Sequence, residues 1–282
     1  MNQTESKRLA DIYQKFEAGD FFDALQELRE LSTKLDDPWE KAALRCYEAL
    51  FLVEMGRVPE ARQRLEEFKK SLTLLGESPS DGYQDDGPHN LAAMVRYTEF
   101  KVLLAERKQP EALQLLEDLV SGYPKLLSIP GFTAISEEVQ TYRGFLLADA
   151  GRWKEARAFL ENASPPEAWK SVHCYYLGHC YYEFKEYERA KKKLTEAIGL
   201  GLTGHWQGGA HYVLGLVEFH LSDMRAAKSE FEECVKTAEP KYLGETKIWD
   251  WLEATSRALG LYDEAEKYQQ RRIITPPNSK PN

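Results

Sequence analysis

The sequence predicts an all-α protein built as a stack of about seven antiparallel helix pairs. Three observations point there. Apolar residues recur at helical spacing through nearly the whole chain. Gly, Asp and Pro break that pattern into short segments joined by brief turns. Ala24, Ala61, Ala112, Ala156, Ala190, Ala227 and Ala265 stand at matching places in successive second helices, at intervals of 34 to 51 residues. A recurring period with insertions in the connections is the mark of stacked repeats.

Taken in order, Leu9, Ile12, Tyr13 and Phe16 mark a first helix, Gly19-Asp20 breaks it, and Phe22, Leu25, Leu28 and Leu31 mark its partner. Asp20 is a candidate N-cap, since its carboxylate can accept an orphan N–H of the first turn. Trp39 to Met55 is the next helix, with Ala49 at a tight-contact site; Gly56 turns the chain, Pro59 suits a first helical turn, and Ala61, Leu65 and Phe68 mark the partner. Residues 75–90 hold three Gly, two Pro and three Asp and read as an insertion loop, either a loosely packed surface segment or a flap over a binding groove. Leu91 to Glu106 pairs with the helix carrying Ala112, Leu116 and Leu119. A connection with Pro130-Gly131 follows, then Ile135 to Ala150 and Trp153 to Glu161, with Gly144 at the close contact, Gly151 at the turn and Ala156 opposite.

The clearest repeat runs from Cys174 to Ile198. It reads Cys174-x2-Leu177-Gly178-x2-Tyr181, then Tyr187-Glu188-Arg189-Ala190-x3-Leu194-x2-Ala197. Gly178 has no side chain, so a second helix can approach closely there, and Ala190 is the small residue expected to face it. A glycine-rich connection from Gly199 to Gly209 follows, with Trp206 inside. The next pair carries Leu214-Gly215 and Ala227-x3-Phe231, and the last runs from Thr246 to Leu259 and from Tyr262 to Arg272. The expected layout is therefore N-terminal pairs at 1–74, the first of them degenerate, an insertion at 75–90, a main array at 91–272 and a disordered tail at 273–282.

This pattern resembles that of the tetratricopeptide-repeat family, whose signature is bulky-x2-Leu-Gly-x2-Tyr followed by Ala-x3-Phe. Here Cys174 stands in place of the usual Trp and Leu194 in place of the usual Phe. The resemblance covers almost the whole chain and is densest from Gln140 to Ala238. It implies a right-handed superhelix whose first helices line a concave groove. On that reading the groove positions are Val172, Tyr175, His179 and Tyr182; Gly209, Tyr212, Leu216 and Phe219; Glu138, Thr141, Phe145 and Ala148; and Tyr97 with Lys101. Family members that bind chaperone C-termini hold the carboxylate with Lys and Asn at such places. Those places here hold Thr141, Phe145, Tyr175, His179, Tyr212 and Leu216, so that clamp is absent.

Aromatics at helical spacing serve packing or recognition. The pairs' own interiors are already supplied by Leu177, Tyr181, Leu214 and Phe231, so the surplus rings fit a peptide-binding surface. The expected partner is a protein or peptide offering apolar or aromatic side chains, as an extended segment or an amphipathic helix. A ligand-responsive sensor of a peptide or small molecule is the alternative.

Composition bounds the rest. With 282 residues, a net charge of −9, 43% hydrophobic and 29% charged residues, the chain suits a folded protein and is ill suited to broad nucleic-acid binding. The run Lys191-Lys192-Lys193 reads as a solvated outer face. No apolar run reaches membrane-spanning length, Met1 to Leu9 is polar, and four scattered Cys fit a reducing compartment, so the cytoplasm is the expected location. No phosphate-binding loop, nucleophile elbow or His-Glu-x2-His motif occurs. His173, Cys174, His179 and Cys180 have zinc-ligand chemistry, yet Cys174 and His179 fall on different helix faces, and buried Cys is ordinary. A non-catalytic module without cofactor or metal is therefore expected, and an enzyme or metal protein built on those four residues is the remote alternative.

Overall fold

The computed structural model describes residues 3–74, 91–122, 133–238, 243 and 247–274. Among them are fourteen α-helices in seven consecutive pairs: α1 (Gln3–Glu17) with α2 (Phe21–Lys34), α3 (Pro38–Glu54) with α4 (Val58–Leu74), α5 (Leu91–Ala105) with α6 (Gln109–Gly122), α7 (Thr133–Asp149) with α8 (Trp153–Leu160), α9 (Lys170–Glu183) with α10 (Tyr187–Gly199), α11 (His205–His220) with α12 (Met224–Thr237), and α13 (Ile248–Ala258) with α14 (Tyr262–Ile274). The predicted insertion at 75–90 and most of the predicted tail lie outside the described residues; α14 itself runs into the tail's first positions.

One turn chemistry joins all seven pairs. A single residue at each junction takes a left-handed backbone: Gly19, Gly56, Arg107, Gly151, Lys185, Ser222 and Gly260. Each stands five residues before one of the seven anchor alanines. Lys185 shows the pattern. Its N–H donates to the Tyr182 carbonyl at 2.8 Å, and the next N–H, of Glu186, donates to the Tyr181 carbonyl at 2.9 Å. This is the Schellman arrangement, which satisfies helix-end carbonyls and reverses the chain. Asp20 does sit at the start of α2, but its side chain makes no capping bond. Asp223 is a true cap, accepting from the Ala226 N–H at 3.0 Å.

The chain divides into two compact units, residues 1–136 and 137–282. In the first, α3 packs on α4 and α5, and the core gathers Ile12, Leu28, Phe51, Leu65 and Phe68, each at most 1% exposed. Phe16 stacks on Phe51 with ring centroids 3.9 Å apart. In the second, α9 packs on α10 and α11, α11 on α12, and α12 on α13. The glycines of this unit set the helix spacing. A Cβ on Gly144 would lie 2.6 Å from Leu160 Cδ2, one on Gly178 2.8 Å from Leu194 Cγ, and one on Gly215 2.5 Å from Phe231. Ala49, Ala61, Ala156, Ala190 and Ala227 are fully buried. The atoms nearest each glycine belong, however, to the residue one turn after the alanine, so Gly178 faces Leu194 rather than Ala190.

The glycine-rich connection is shorter than predicted. Helix α11 already begins at His205, and Gly208 and Gly209 are buried inside it. They serve close approach rather than a loop. A Cβ on Gly208 would lie 2.6 Å from Ala238 Cβ and 2.8 Å from its Cα.

Candidate functional site: an aromatic face on helices α9 and α11

Successive turns of α9 present Tyr175, His179 and Tyr182, all partly buried. Their ring centroids follow one another at 6.1 Å and 6.3 Å. The row continues onto α11 through His220, 6.0 Å from Tyr182. Phe219 meets Trp251 edge-on at 5.1 Å, and Tyr212 lies 6.1 Å from Phe231. The structure thus brings Tyr175, His179, Tyr182, Tyr212 and Phe219 into one ring-bearing region of the second unit.

Other expected positions are closed. Phe145 is only 4% exposed and stacks on Tyr176, with centroids 4.6 Å apart. Thr141, Ala148, Val172 and Leu216 are buried as well. Gly209 lies beneath Tyr175, whose Oη would be 2.9 Å from a Cβ there. Tyr97 and Lys101 belong to the first unit; Tyr97 sits 6.3 Å from Phe100, and Lys101 pairs with Glu54 at 2.9 Å.

Rings that were not singled out from sequence complete the region. Trp153, at the start of α8, lies 4.6 Å from His179. Tyr187, at the start of α10, stacks on His220 at 4.7 Å, nearly parallel. Tyr176 anchors the underside by donating to Asp149 Oδ1 at 3.0 Å. A ring at the first position of α8 and of α10 was the available signal.

Burial governs the electrostatics. It depresses the His179 pKa to about 4, so the imidazole is neutral at pH 7. Glu183 lies 3.7 Å from its Nε2, too far for a strong hydrogen bond. Burial also raises the Tyr175 and Tyr182 phenols. The region therefore offers rings with neutral polar edges, suited to apolar contact and to hydrogen bonding without charge.

The His and Cys residues do not converge. His173 donates from Nε2–H to the Leu160 carbonyl at 2.8 Å. Cys174 and Cys180 are buried thiols, pushed by burial up to about 11 and about 12. His211 engages Glu230 at 2.8 Å through Nδ1. Among the described residues no group of three or more His, Cys, Asp or Glu is placed to hold a metal ion. No described helix is long and apolar enough to cross a membrane. Lys191 is not simply solvated: its Nζ lies 2.9 Å from Glu218, whose side chain is only 7% exposed.

No protein-family model matches the chain, and no curated protein matches it. Solved structures do. The chain is similar to Pseudomonas aeruginosa PilF, at 14% identity over 86% of this chain and 96% of that one, with a TM-score of 0.55. It is similar to a chain of the APC/C hetero-tetramer Cut9–Hcn1, at 17% identity over 92% and 44%, with a TM-score of 0.51. It also resembles a tetratricopeptide repeat protein from Parabacteroides merdae, at 12% identity over 99% and 96%, with a TM-score of 0.48. Together with the repeated turn-and-alanine register, the first two place the chain in an all-α helical-repeat fold.

Proposed function

We propose that this chain is a non-catalytic interaction module, taking up an apolar or aromatic-bearing peptide segment or partner helix against the ring-bearing face of α9 and α11. The observation that carries this reading is the surplus of rings. Leu177, Tyr181, Leu194, Leu214 and Phe231 already fill the pair interiors, yet Tyr175, His179, Tyr182, Tyr212 and Phe219 remain partly exposed beside them. Large rings with polar edges bring much contact area at low entropic cost, as interface anchors do. The Cut9–Hcn1 hetero-tetramer supports the class, since a chain of this fold is there part of a protein complex. Such a module calls for no cofactor. The chain's net charge of −9 disfavours nucleic acid and anionic membranes as partners, and a cytoplasmic setting suits its four free thiols.

The test is affinity capture with wild type beside a Tyr175→Ala, His179→Ala variant, both checked for cooperative melting and both read by mass spectrometry. A partner held by wild type and lost by the folded variant supports the face, with an expected loss of about 2 kcal/mol or more per true anchor. Equal capture by both sinks it. Compaction of the chain on adding a small ligand, with no protein captured, favours the sensor instead.

A further inference from the structure

A second candidate site lies between the second helices of the last two pairs. Val235, Trp249 and Leu252 floor a cleft of about 560 Å³ between α12 and α14. Its walls carry four cations, Lys228, Lys236, Lys267 and Arg271, against two carboxylates, Glu232 and Glu264. In a chain of net charge −9, that is a local reversal of sign.

The carboxylates are already satisfied. Lys228 reaches Glu232 at 2.6 Å and Glu264 at 2.8 Å, and Tyr268 donates to Glu232 at 2.9 Å. Lys236 is held by Glu233 at 2.6 Å. Lys267 and Arg271, one helical turn apart on α14, have no carboxylate partner among the described residues. The Arg271 guanidinium lies 5.4 Å from the centre of the Trp249 ring, so its fork is oriented by cation–π contact rather than spent on an ion pair. Trp249 is 8% exposed, and its indole N–H has no acceptor among the described residues. Two cations without a carboxylate partner among the described residues stand over an apolar floor.

We infer that this cleft binds a carboxylate with an adjoining apolar side chain on a partner peptide. Arg271 and Lys267 would take the carboxylate, and Val235 with the uncovered edge of Trp249 the apolar neighbour. An Arg fork matches a carboxylate in two parallel hydrogen bonds, and clefts of this size suit a few residues of peptide. A chain terminus and an acidic side chain share this chemistry, and the peptides below tell them apart. The cleft shares no residue with the ring-bearing face, so this inference stands apart from that reading.

The test follows the Trp249 indole N–H resonance in the full-length ¹⁵N-labelled chain, assigned with Trp249→Phe. Three peptides are titrated: N-acetyl-Ala-Ala-Leu with a free carboxylate, the same peptide as its amide, and N-acetyl-Ala-Asp-Leu-amide. Inorganic phosphate at matched ionic strength is the fourth probe. A saturable shift is expected with the first peptide, the third, or both, and that choice tells terminal from side-chain carboxylate. Lys267→Gln with Arg271→Gln, both exposed positions, should weaken binding about tenfold or more, as expected for losing charge-assisted bonds. No shift with either carboxylate peptide overturns the inference. So does an equal response to the amide or to phosphate, or undiminished binding by the folded double variant.

Discussion

Tyr175 on α9 lays its phenol oxygen over Gly209 on α11, where a Cβ would lie 2.9 Å from Oη and 3.3 Å from Cζ. The absence of one side chain thus makes room for the first ring of the candidate site. Gly209→Ala gains helix propensity of about 0.5–1 kcal/mol but must push the ring aside, which costs about 1–3 kcal/mol. Removing Oη with Tyr175→Phe should relieve most of that cost. Chemical denaturation of the two single variants and the double variant should give a favourable coupling of about 0.5 kcal/mol or more. Strict additivity would mean the ring does not rest there.

Gly178→Leu should destabilise the central pair by about 1–3 kcal/mol or more, since the added atoms meet both the Leu194 side chain and its backbone nitrogen, 3.2 Å from an ideal Cβ. A thermal melt indistinguishable from wild type would show that the repeat register is misplaced.

Lys185 holds a left-handed backbone at φ 61°, where Gly56 and Gly151 do the same job at φ 73°. A residue with a Cβ loses about 1–2 kcal/mol there, while glycine costs about 0.5–1 kcal/mol in unfolded-state entropy. Lys185→Gly is therefore expected to stabilise the chain by about 0.5–1 kcal/mol, read as a raised denaturation midpoint. Gly151→Lys is the reverse control and should lower it.

Lys191 neutralises Glu218, which is buried at 5% exposure between repeats. Lys191→Ala leaves that carboxylate without its cation. The expected cost is about 1–2 kcal/mol, toward the low end for a buried pair because the lysine itself is 43% exposed. Adding Glu218→Gln should recover part of it. If Lys191→Ala melts like wild type, the pair contributes nothing.

His179 gives the chain a pH signature. Burial holds its pKa at about 4, below the ordinary 6.5. Between those values the unfolded chain binds a proton that the folded chain does not, so folding stability rises with pH through the window. Above about pH 6.5 the histidine costs nothing. The penalty grows as pH falls below that, by at most about 1.4 kcal/mol per unit, and is complete near pH 4. Denaturation of wild type and His179→Gln from pH 7 to about 4.5 should show the variant losing stability less steeply. Parallel curves would place the imidazole in water.

What the sequence determined by itself is the local periodic part: the seven helix pairs, their turns, and the register of alanines. Those follow from helical spacing and chain-reversing residues, which act within one or two turns and so leave their mark in neighbouring letters. The tertiary structure decided what lies across each contact. It put Leu194 rather than Ala190 against Gly178, drew Gly208 and Gly209 into α11, brought Trp153 to His179, closed Phe145 beneath Tyr176, and gave Lys191 to Glu218. It also set Arg271 over Trp249 above an apolar floor. These relationships depend on how far each helix is rotated about its axis and how closely its neighbour approaches. That geometry is fixed by the side-chain volumes of two or three elements at once, and no single repeat carries it.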